Sequence, residues 1–270
     1  MDFQRTYDVV VGGAGVAGVA ASLECARAGL KTALVEKTIL VGGLATTGLV
    51  NAYLPLCDGR GRQVTYGIAE ELLHLSLKYG PGRSPAGWPG GEPGARTERW
   101  RVLFNPASFV LALDEALQDA GVVLWLDTLI CKPVVADGRV LGLEVENKSG
   151  RGLLTARCVI DATGDADIAA RCGAPCVVSD NWLTMWALEC DVARLTKDLA
   201  QAPRPFLFDT VREGGDAWGK RHPTGYPKLT GCNGEEVTRF VLDSRRLLLQ
   251  RYKKLQAASS RHDVFPLTLP

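Results

Sequence analysis

The chain has 270 residues, a formal net charge of +1 and 46% hydrophobic residues. That length supports one large or two modest domains with their own cores. The near-neutral charge gives no bulk attraction to nucleic acid or to an anionic membrane, so neither is expected as a partner.

No segment predicts a secretion signal or a membrane span. Asp2, Arg5 and Asp8 interrupt the N-terminal apolar run, and no later stretch approaches the roughly 18 apolar residues that a span needs. We therefore expect a cytoplasmic protein. Its eight cysteines lack zinc-ligand spacing, so no metal site is predicted; Cys172 and Cys176 could lie close across a short turn.

The beginning of the chain predicts a βαβ unit. A strand begins near Tyr7, and the continuous apolar run from Val9 to Val11 indicates that it is buried on both faces. A helix of mostly small residues follows from about Val16 to Ala28 and ends at Gly29, and Thr32 to Glu36 supplies the next strand.

Two further helices are predicted before the middle of the chain. One runs from about Ile68 to Tyr79, and the other begins at Asn105 as its cap, with Pro106 in its first turn, and ends near Gly121. Between them, glycine and proline dominate the segment from Gly80 to Gly94 and predict a surface loop or lid that includes Trp88.

The next section predicts strands in two arrangements. Val122 to Leu126 indicates a buried strand. Short runs separated by turn signals then predict a three-stranded antiparallel meander over Ile130–Val135, Arg139–Glu146 and Leu153–Ala156. It leads into Cys158–Ala162, which is predicted to be a buried parallel strand.

The last third of the chain has a different character. Leu183 to Asp191 predicts a strand, Val192 to Leu199 a short helix, and Pro203 to Asn233 an irregular segment. A long helix is predicted from Glu235 to Leu255, with an apolar stripe that comprises Val237, Phe240, Val241, Leu248, Tyr252 and Leu255.

These elements predict an α/β protein. Residues 1–178 would form a Rossmann-like domain with a central parallel sheet, an antiparallel β-meander crossover and a loop insertion at about 80–100. Residues 179–270 would form part of a mixed α+β substrate domain.

Glycines in the first turn form a dinucleotide-binding fingerprint. Gly13 permits a tight turn, Gly15 lets the backbone approach a pyrophosphate, and Gly18 allows helix and strand to touch. The helix start at Val16 and Ala17 offers free N–H groups and a partial positive charge to phosphates.

The acidic residue of this fingerprint is Glu36, which lies 18 residues beyond Gly18 at the end of the second strand. Its carboxylate can accept hydrogen bonds from both hydroxyls of an adenosine ribose and would repel a 2′-phosphate, which argues against NADP. The fingerprint alone does not separate FAD from NAD, so an NAD-dependent dehydrogenase stays an alternative.

Two features favour FAD. One is the meander in place of a crossover helix. The other is Ala162-Thr163-Gly164-Asp165 at the carboxyl end of a strand, the edge where ligands bind in open α/β sheets. Asp165 is expected to cap the short helix that follows.

With these motifs the chain resembles the FAD-dependent oxidoreductases that have a glutathione-reductase-type flavin domain, and in particular one bacterial family among them. The resemblance runs from about Tyr7 to the C terminus. Its motifs are Gly13 to Gly18, Glu36-Lys37, Gly42 to Thr46, Phe104-Asn105-Pro106, Glu144 to Gly150 and Ile160 to Asp167.

The resemblance implies roles for further residues. Lys37 would lie beside the adenine, and the backbone of Ile130 or Cys131 would meet the adenine edge. The remaining implied contacts are those of Gly43, Ala45 and Thr46 near the pyrophosphate and the flavin side, and of Thr163, Gly164 and Asp165 over the adenosine half. Ala166 stands where the family commonly has glycine, and its methyl group is expected to be tolerated.

The expected function is FAD-dependent transfer of a hydride from a small organic substrate to the flavin. Family members continue beyond the point where this chain stops, so a truncated, catalytically silent fragment that needs a complementing C-terminal polypeptide is the alternative. A homo-oligomer stays open. No catalytic residue is assigned, although His222 is a better candidate than His74 or His262.

Overall fold

The computed structural model describes residues 1–59, 62–84, 101–201, 206, 208–216, 218–259 and 263–270. The chain divides into two compact units, Met1–Cys176 and Val177–Pro270. Most of the predicted loop from Gly80 to Gly94, including Trp88, lies outside the described residues, as does His262.

The described residues of the first unit form a large sheet and four α-helices. Its strands are β1 (Phe3–Gly12), β2 (Thr32–Val35), β3 (Ala52–Tyr53), β4 (Val102–Leu103), β5 (Val123–Trp125), β6 (Leu129–Ala136), β7 (Arg139–Asn147) and β8 (Gly150–Asp161). Its helices are α1 (Val16–Arg27), α2 (Ile68–Lys78), α3 (Pro106–Asp119) and α4 (Asp167–Arg171), with a 3₁₀ turn at Gly43–Ala45.

Six of these strands form one sheet in the order β5-β2-β1-β8-β7-β6. β1 pairs in parallel with β2 and β8, and β2 pairs in parallel with β5. β7 is antiparallel to both β6 and β8. The predicted α/β class, with a central parallel sheet and a β-meander crossover, is confirmed.

The meander differs from the prediction in its last strand. The predicted strands Leu153–Ala156 and Cys158–Ala162 are one continuous strand, β8, which pairs with β1 along most of its length. β7 pairs with β8 only as far as Thr155. Beyond that point, β8 has no second neighbouring strand within the described ranges, and Cys158 is exposed rather than buried.

Both faces of the central sheet are covered. Val9 and Val11 belong to a core formed with α1 and α3, which includes Leu23 and Phe109. Val10 faces the other way, into a core that includes Tyr7, Leu143 and Ile168. Because side chains alternate along a strand, a strand covered on both faces requires the continuous apolar run that predicted it.

The helix boundaries follow from local chemistry. α1 ends one residue before the predicted position, and Gly29 then adopts a left-handed backbone with φ +80°. At the start of α3, the Asn105 side chain accepts a hydrogen bond from the Ser108 N–H at 3.0 Å, and Pro106 follows the cap. The predicted cap at Asn105 is confirmed.

The second unit is a small α+β assembly. Its elements are β9 (Thr184–Asp191), α5 (Val192–Gln201), β10 (Asp209–Gly214), α6 (Gly234–Ser259) and β11 (Val264–Thr268). The sheet has the order β10-β9-β11, and both outer strands are antiparallel to β9. None of the described helices combines the length and the apolar character needed to cross a membrane.

One prediction for this unit was wrong. The segment from Pro203 to Asn233 is not irregular throughout, because Asp209–Gly214 pairs with β9. β10 has no apolar pattern of its own, and its strand conformation depends on its hydrogen bonds to β9. Val264–Thr268, for which no element was predicted, adds a further strand at the opposite edge. An edge position also accommodates Pro266.

The predicted apolar stripe of α6 is buried only in its C-terminal half. Leu248 and Tyr252 pack with Met185 and Ala187 in one core. Val237, near the start of the helix, is 47% exposed. The helix therefore contacts its own sheet over about its second half.

Candidate functional site

The turn between β1 and α1 is held by close backbone contacts. Gly13 has φ +94°, and a Cβ atom at this position would lie 2.5 Å from the Ala162 carbonyl oxygen. A Cβ atom at Gly18 would overlap the Gly13 carbonyl oxygen. Glycine is required at both positions because the turn, α1 and the end of β8 touch through their backbones.

Gly15 differs from these two glycines. It has an ordinary φ of −64°, and a Cβ atom there would have no neighbour within 4 Å among the described residues. The described fold therefore does not need glycine at this position. The space lies at the start of α1, where the N–H groups of Val16, Ala17 and Gly18 have no acceptor within the helix. No side chain of the described ranges caps this end.

A second glycine segment supports this turn. The Gly42 N–H donates to the Ala14 carbonyl oxygen at 2.7 Å, and a Cβ atom at Gly43 would lie 2.8 Å from the Gly15 Cα atom. Ala45 lies in the 3₁₀ turn that follows. Thr46 is buried, and its hydroxyl lies 2.6 Å from the Val41 carbonyl oxygen, so it holds this segment in place.

The Glu36 carboxylate joins the end of β2 to the glycine turn. It is 9% exposed, and its two oxygens accept hydrogen bonds from the backbone N–H groups of Ala14 and Thr38, each at 2.9 Å. A carboxylate oxygen has two lone pairs. Each oxygen of Glu36 therefore keeps the capacity to accept one further hydrogen bond.

Several predicted site residues line one small cavity of about 60 Å³. Those that the sequence predicted are Gly13, Glu36, Lys37, Ile130 and Thr163. Cys131, the neighbour of Ile130 on β6, does not line it. The volume is far below the roughly 300 Å³ of a typical small-molecule pocket, so this cavity alone is too small to enclose a nucleoside.

Three polar residues of this region were not predicted as site residues. Thr128 and Asp167 also line the cavity, and Asp161 organises the chain beside it. Thr128 carries no local motif, and its position depends on the Thr128 N–H, which donates to the Glu36 carbonyl oxygen at 3.0 Å. Asp161 lies within a predicted motif, but its role as a cap was not predicted, because the residues that donate hydrogen bonds to it lie up to eight positions further along the chain.

Asp161 caps α4, and the predicted cap at Asp165 was wrong. One oxygen of Asp161 accepts hydrogen bonds from the N–H groups of Ile168 and Ala169, at 3.0 and 2.8 Å. The other accepts from the N–H and hydroxyl of Thr163, at 3.0 and 2.7 Å. Asp165 is exposed and forms no hydrogen bond with the described part of the chain.

These contacts determine the ionisation of Asp161. Burial alone would raise the pKa of its carboxyl group. The hydrogen bonds from Ala169, Thr163 and Ile168 stabilise the charged form and outweigh burial, so the pKa lies below its usual range. The carboxylate thus stays charged at neutral pH and holds the chain that follows β8.

The backbone after β8 turns through two left-handed residues. Gly164 has φ +90° and Ala166 has φ +56°. The Ala162 N–H, just before them, donates to the Gly12 carbonyl oxygen at 2.8 Å. The methyl group of Ala166 is accommodated, but in a backbone conformation that disfavours an L-residue.

The histidine candidate has a structural role. The Leu183 N–H donates to the His222 Nδ1 atom at 3.0 Å, which requires Nδ1 to be unprotonated, and Nε2 lies 2.9 Å from the Tyr226 carbonyl oxygen. With Nε2–H as donor, both ring nitrogens are used by the backbone. His74 is exposed on α2, 3.9 Å from Glu70.

Neither the thiols nor the acidic side chains form a further centre within the described residues. No disulfide joins any of the eight cysteines, and Cys172 and Cys176 remain thiols. No three His, Cys, Asp or Glu side chains of the described ranges group closely enough to hold a metal ion.

Comparison with known proteins identifies one matching family model, described as FAD dependent oxidoreductase, over residues 8–217. A curated relative, thioredoxin reductase of Ureaplasma parvum, is 38% identical over 74 residues, which are 27% of this chain and 24% of that protein. The chain thus spans about a quarter of that relative.

Two solved structures have a similar fold. One is a geranylgeranyl bacteriochlorophyll reductase-like protein from Thermoplasma acidophilum, with a TM-score of 0.54 and 16% identity over 98% of this chain and 65% of that chain. The other is a myxobacterial FAD-dependent chondrochloren halogenase, with a TM-score of 0.50 and 16% identity over 69% of this chain and 44% of that chain.

Proposed function

The chain belongs to the FAD-dependent oxidoreductase family, and from this membership we propose that it holds FAD in its first unit and transfers a hydride from a small organic substrate to the flavin. The observation that carries the proposal is the contrast among the three glycines of the first turn. Gly13 and Gly18 are enclosed by the protein's own backbone, whereas the missing side chain of Gly15 leaves open space.

The residues of the turn fit a pyrophosphate. We propose that it lies over Gly15, where the backbone can be approached closely and the N–H groups of Val16 and Ala17 meet the phosphate oxygens. The partial positive charge at the start of α1 favours the anion at the same place.

The residues around the small cavity fit the adenosine half. Each carboxylate oxygen of Glu36 already accepts one backbone hydrogen bond. With its remaining lone pair, each would accept a further hydrogen bond from a ribose hydroxyl. Lys37 and the backbone of Ile130 or Cys131 would lie along the adenine, and Thr163 would close this end; of these residues, Lys37, Ile130 and Thr163 line the cavity. Gly164 and Asp165 would cover the same half from the turn after β8.

The flavin half is assigned to the second glycine segment. Gly43 lies next to Gly15 in space, and Ala45 and Thr46 follow it along the chain. These three residues would continue the site from the pyrophosphate towards the flavin. When bound, FAD supplies a hydride-accepting ring, and the protein supplies position and electrostatics. No catalytic acid or base is assigned, since His222 is held by the backbone on both ring nitrogens.

We also propose a cytoplasmic location, which the absence of any disulfide among the eight cysteines supports. Self-association and a complementing polypeptide remain predictions. Sedimentation of the purified chain over a range of concentrations would test the first of them.

Flavin analysis of the purified full chain tests the proposed function. We expect a yellow protein, and chromatography of the cofactor released by denaturation should identify FAD rather than FMN or NAD. Anaerobic addition of small alcohols, amines and hydroxy acids should then bleach the flavin bands with at least one substrate class. A colourless protein that does not take up added FAD would contradict the cofactor assignment.

A further inference from the structure

The second unit contains a cavity that the flavin site does not use. It measures about 550 Å³ and lies between the end of β10, the loop around Arg221 and the C-terminal half of α6. This volume falls within the roughly 300–1,000 Å³ typical of small-molecule pockets. The cavity is therefore large enough to enclose most of a small organic ligand.

One cation in its lining is already neutralised by the protein. Arg251 forms two hydrogen bonds with the buried carboxylate of Glu189, at 2.9 and 3.1 Å. A third nitrogen of Arg251 lies 3.8 Å from a Glu213 oxygen. This side chain therefore belongs to an internal ion-pair cluster and has little capacity for a ligand.

Two other cations in the lining have no such partner. The exposed side chains of Arg221 and Lys254 form neither an ion pair nor a hydrogen bond with any residue that the structure describes. The side chain of Gln250 lines the same cavity and likewise forms no hydrogen bond with the described chain. Glu213 is the one acidic residue that lines the cavity among those described, and it lies beside Arg251. The charges of Arg221 and Lys254 are therefore in excess there, next to an amide donor.

The backbone at Arg221 is a second, independent observation. It has φ +68°, a left-handed conformation that is unfavourable for an L-residue. Gly219 and Gly225, in the same loop, adopt φ +75° and +85°. Two of the three left-handed positions in this loop are therefore glycine, and the third, which lines the cavity, is an arginine. A left-handed non-glycine residue is strained, and such strain is found preferentially at functional sites.

The remaining wall is apolar, with Pro223, Leu247 and Leu255 among its residues. An inorganic anion would leave this wall unused. We propose that the cavity binds a small organic carboxylate with an apolar chain. Its carboxylate pairs with Arg221 and Lys254 and accepts a hydrogen bond from Gln250, while its chain packs on the apolar wall. None of the lining residues is among those assigned to FAD.

Calorimetric titration of the purified full chain with octanoate tests the proposal. We expect saturable binding at one site. Arg221→Gly and Lys254→Gln should each weaken it by about tenfold or more, because each removes a charged partner of the carboxylate. Arg221→Gly should stay folded, since glycine suits the backbone there, and its thermal unfolding checks this.

Lys253→Gln is the matched control, because it removes the same charge from the neighbouring position of α6, which does not line the cavity. It should bind octanoate like the unaltered chain. The proposal is overturned if octanoate does not bind saturably, if Lys253→Gln and Lys254→Gln weaken binding equally, or if octanol or inorganic phosphate binds as tightly. Flavin content should be the same in all variants, so this test is independent of the FAD assignment.

Discussion

The Glu36 carboxylate accepts a hydrogen bond from the Ala14 N–H at 2.9 Å, which joins the end of β2 to the glycine turn that follows β1. The other carboxylate oxygen accepts from the Thr38 N–H. One side chain therefore supports both the turn and the adjoining chain, in addition to its proposed contact with a ribose.

Replacing Glu36 with Gln should lower the free energy of unfolding by about 1–3 kcal/mol, because the amide nitrogen cannot accept from the second backbone N–H. Urea unfolding of cofactor-free protein measures this without a contribution from ligand binding. Glu24→Gln is the control, since its side chain is 61% exposed and pairs only with Arg27 at 3.4 Å among the described residues. Equal effects of the two changes would contradict the role of Glu36.

Valine substitutions at Gly15 and Gly18 should have opposite consequences. Gly15→Val should leave circular dichroism nearly unchanged and abolish flavin retention, because its side chain enters only the space assigned to the pyrophosphate. Gly18→Val should disrupt the first unit itself, since its Cβ atom would overlap the Gly13 carbonyl oxygen. Retained flavin in a folded Gly15→Val variant would exclude the proposed placement.

Asp161→Asn should destabilise the chain at neutral pH by about 1–3 kcal/mol, because the amide offers one acceptor oxygen in place of two. The pKa of Asp161 is lowered in the folded state, so its contribution is complete above the unfolded pKa, near 4, and is lost as pH falls through the lower folded value. The difference between the variant and the unaltered chain should therefore shrink in acid.

Unfolding curves at neutral pH and at about pH 3 measure this difference. Asp165→Asn serves as the control for charge, because Asp165 lies in the same turn and makes no hydrogen bond with the described residues. It should change stability by less than about 0.5 kcal/mol. A larger loss of stability for Asp165→Asn than for Asp161→Asn would instead indicate that Asp165 caps α4, as the sequence predicted.

Ala166→Gly should stabilise the chain by about 1 kcal/mol, since the residue has φ +56° and glycine adopts this conformation without steric cost. The corresponding rise in Tm is about 2–4 °C. Ala170→Gly, in the regular part of α4, should instead lower stability by about 0.5–1 kcal/mol. Calorimetry in one buffer compares the Tm of the unaltered chain, Ala166→Gly and Ala170→Gly. A lower Tm for Ala166→Gly than for the unaltered chain would show that the backbone at Ala166 is not strained.

The sequence predicted the unit from β1 to β2 well because its determinants are local. Val9 to Val11 are apolar because both faces of the strand are buried. Gly13 and Gly18 follow where the backbone of the turn contacts other backbone segments. The family motifs then extended the prediction to the end of β8. They also indicated residues, such as Glu36 and Thr163, that the fold places around one cavity.

Other features depended on contacts between distant parts of the chain. Gly13 needs to be glycine partly because of Ala162, which is far away in sequence. Asp161 rather than Asp165 caps α4 because the left-handed turn brings the N–H groups of Ile168 and Ala169 back to the end of β8. Likewise, β10 is a strand because its residues pair with β9.

The sequence by itself thus determined the glycine turn, the βαβ unit around it and the family, because apolar patterns and glycine stereochemistry act over short distances. Only the tertiary structure decided which carboxylate caps α4, which segments complete the second sheet, and that Arg221 and Lys254 share a cavity. Those outcomes depend on hydrogen-bond register and on side chains that meet only after folding, which no local pattern encodes.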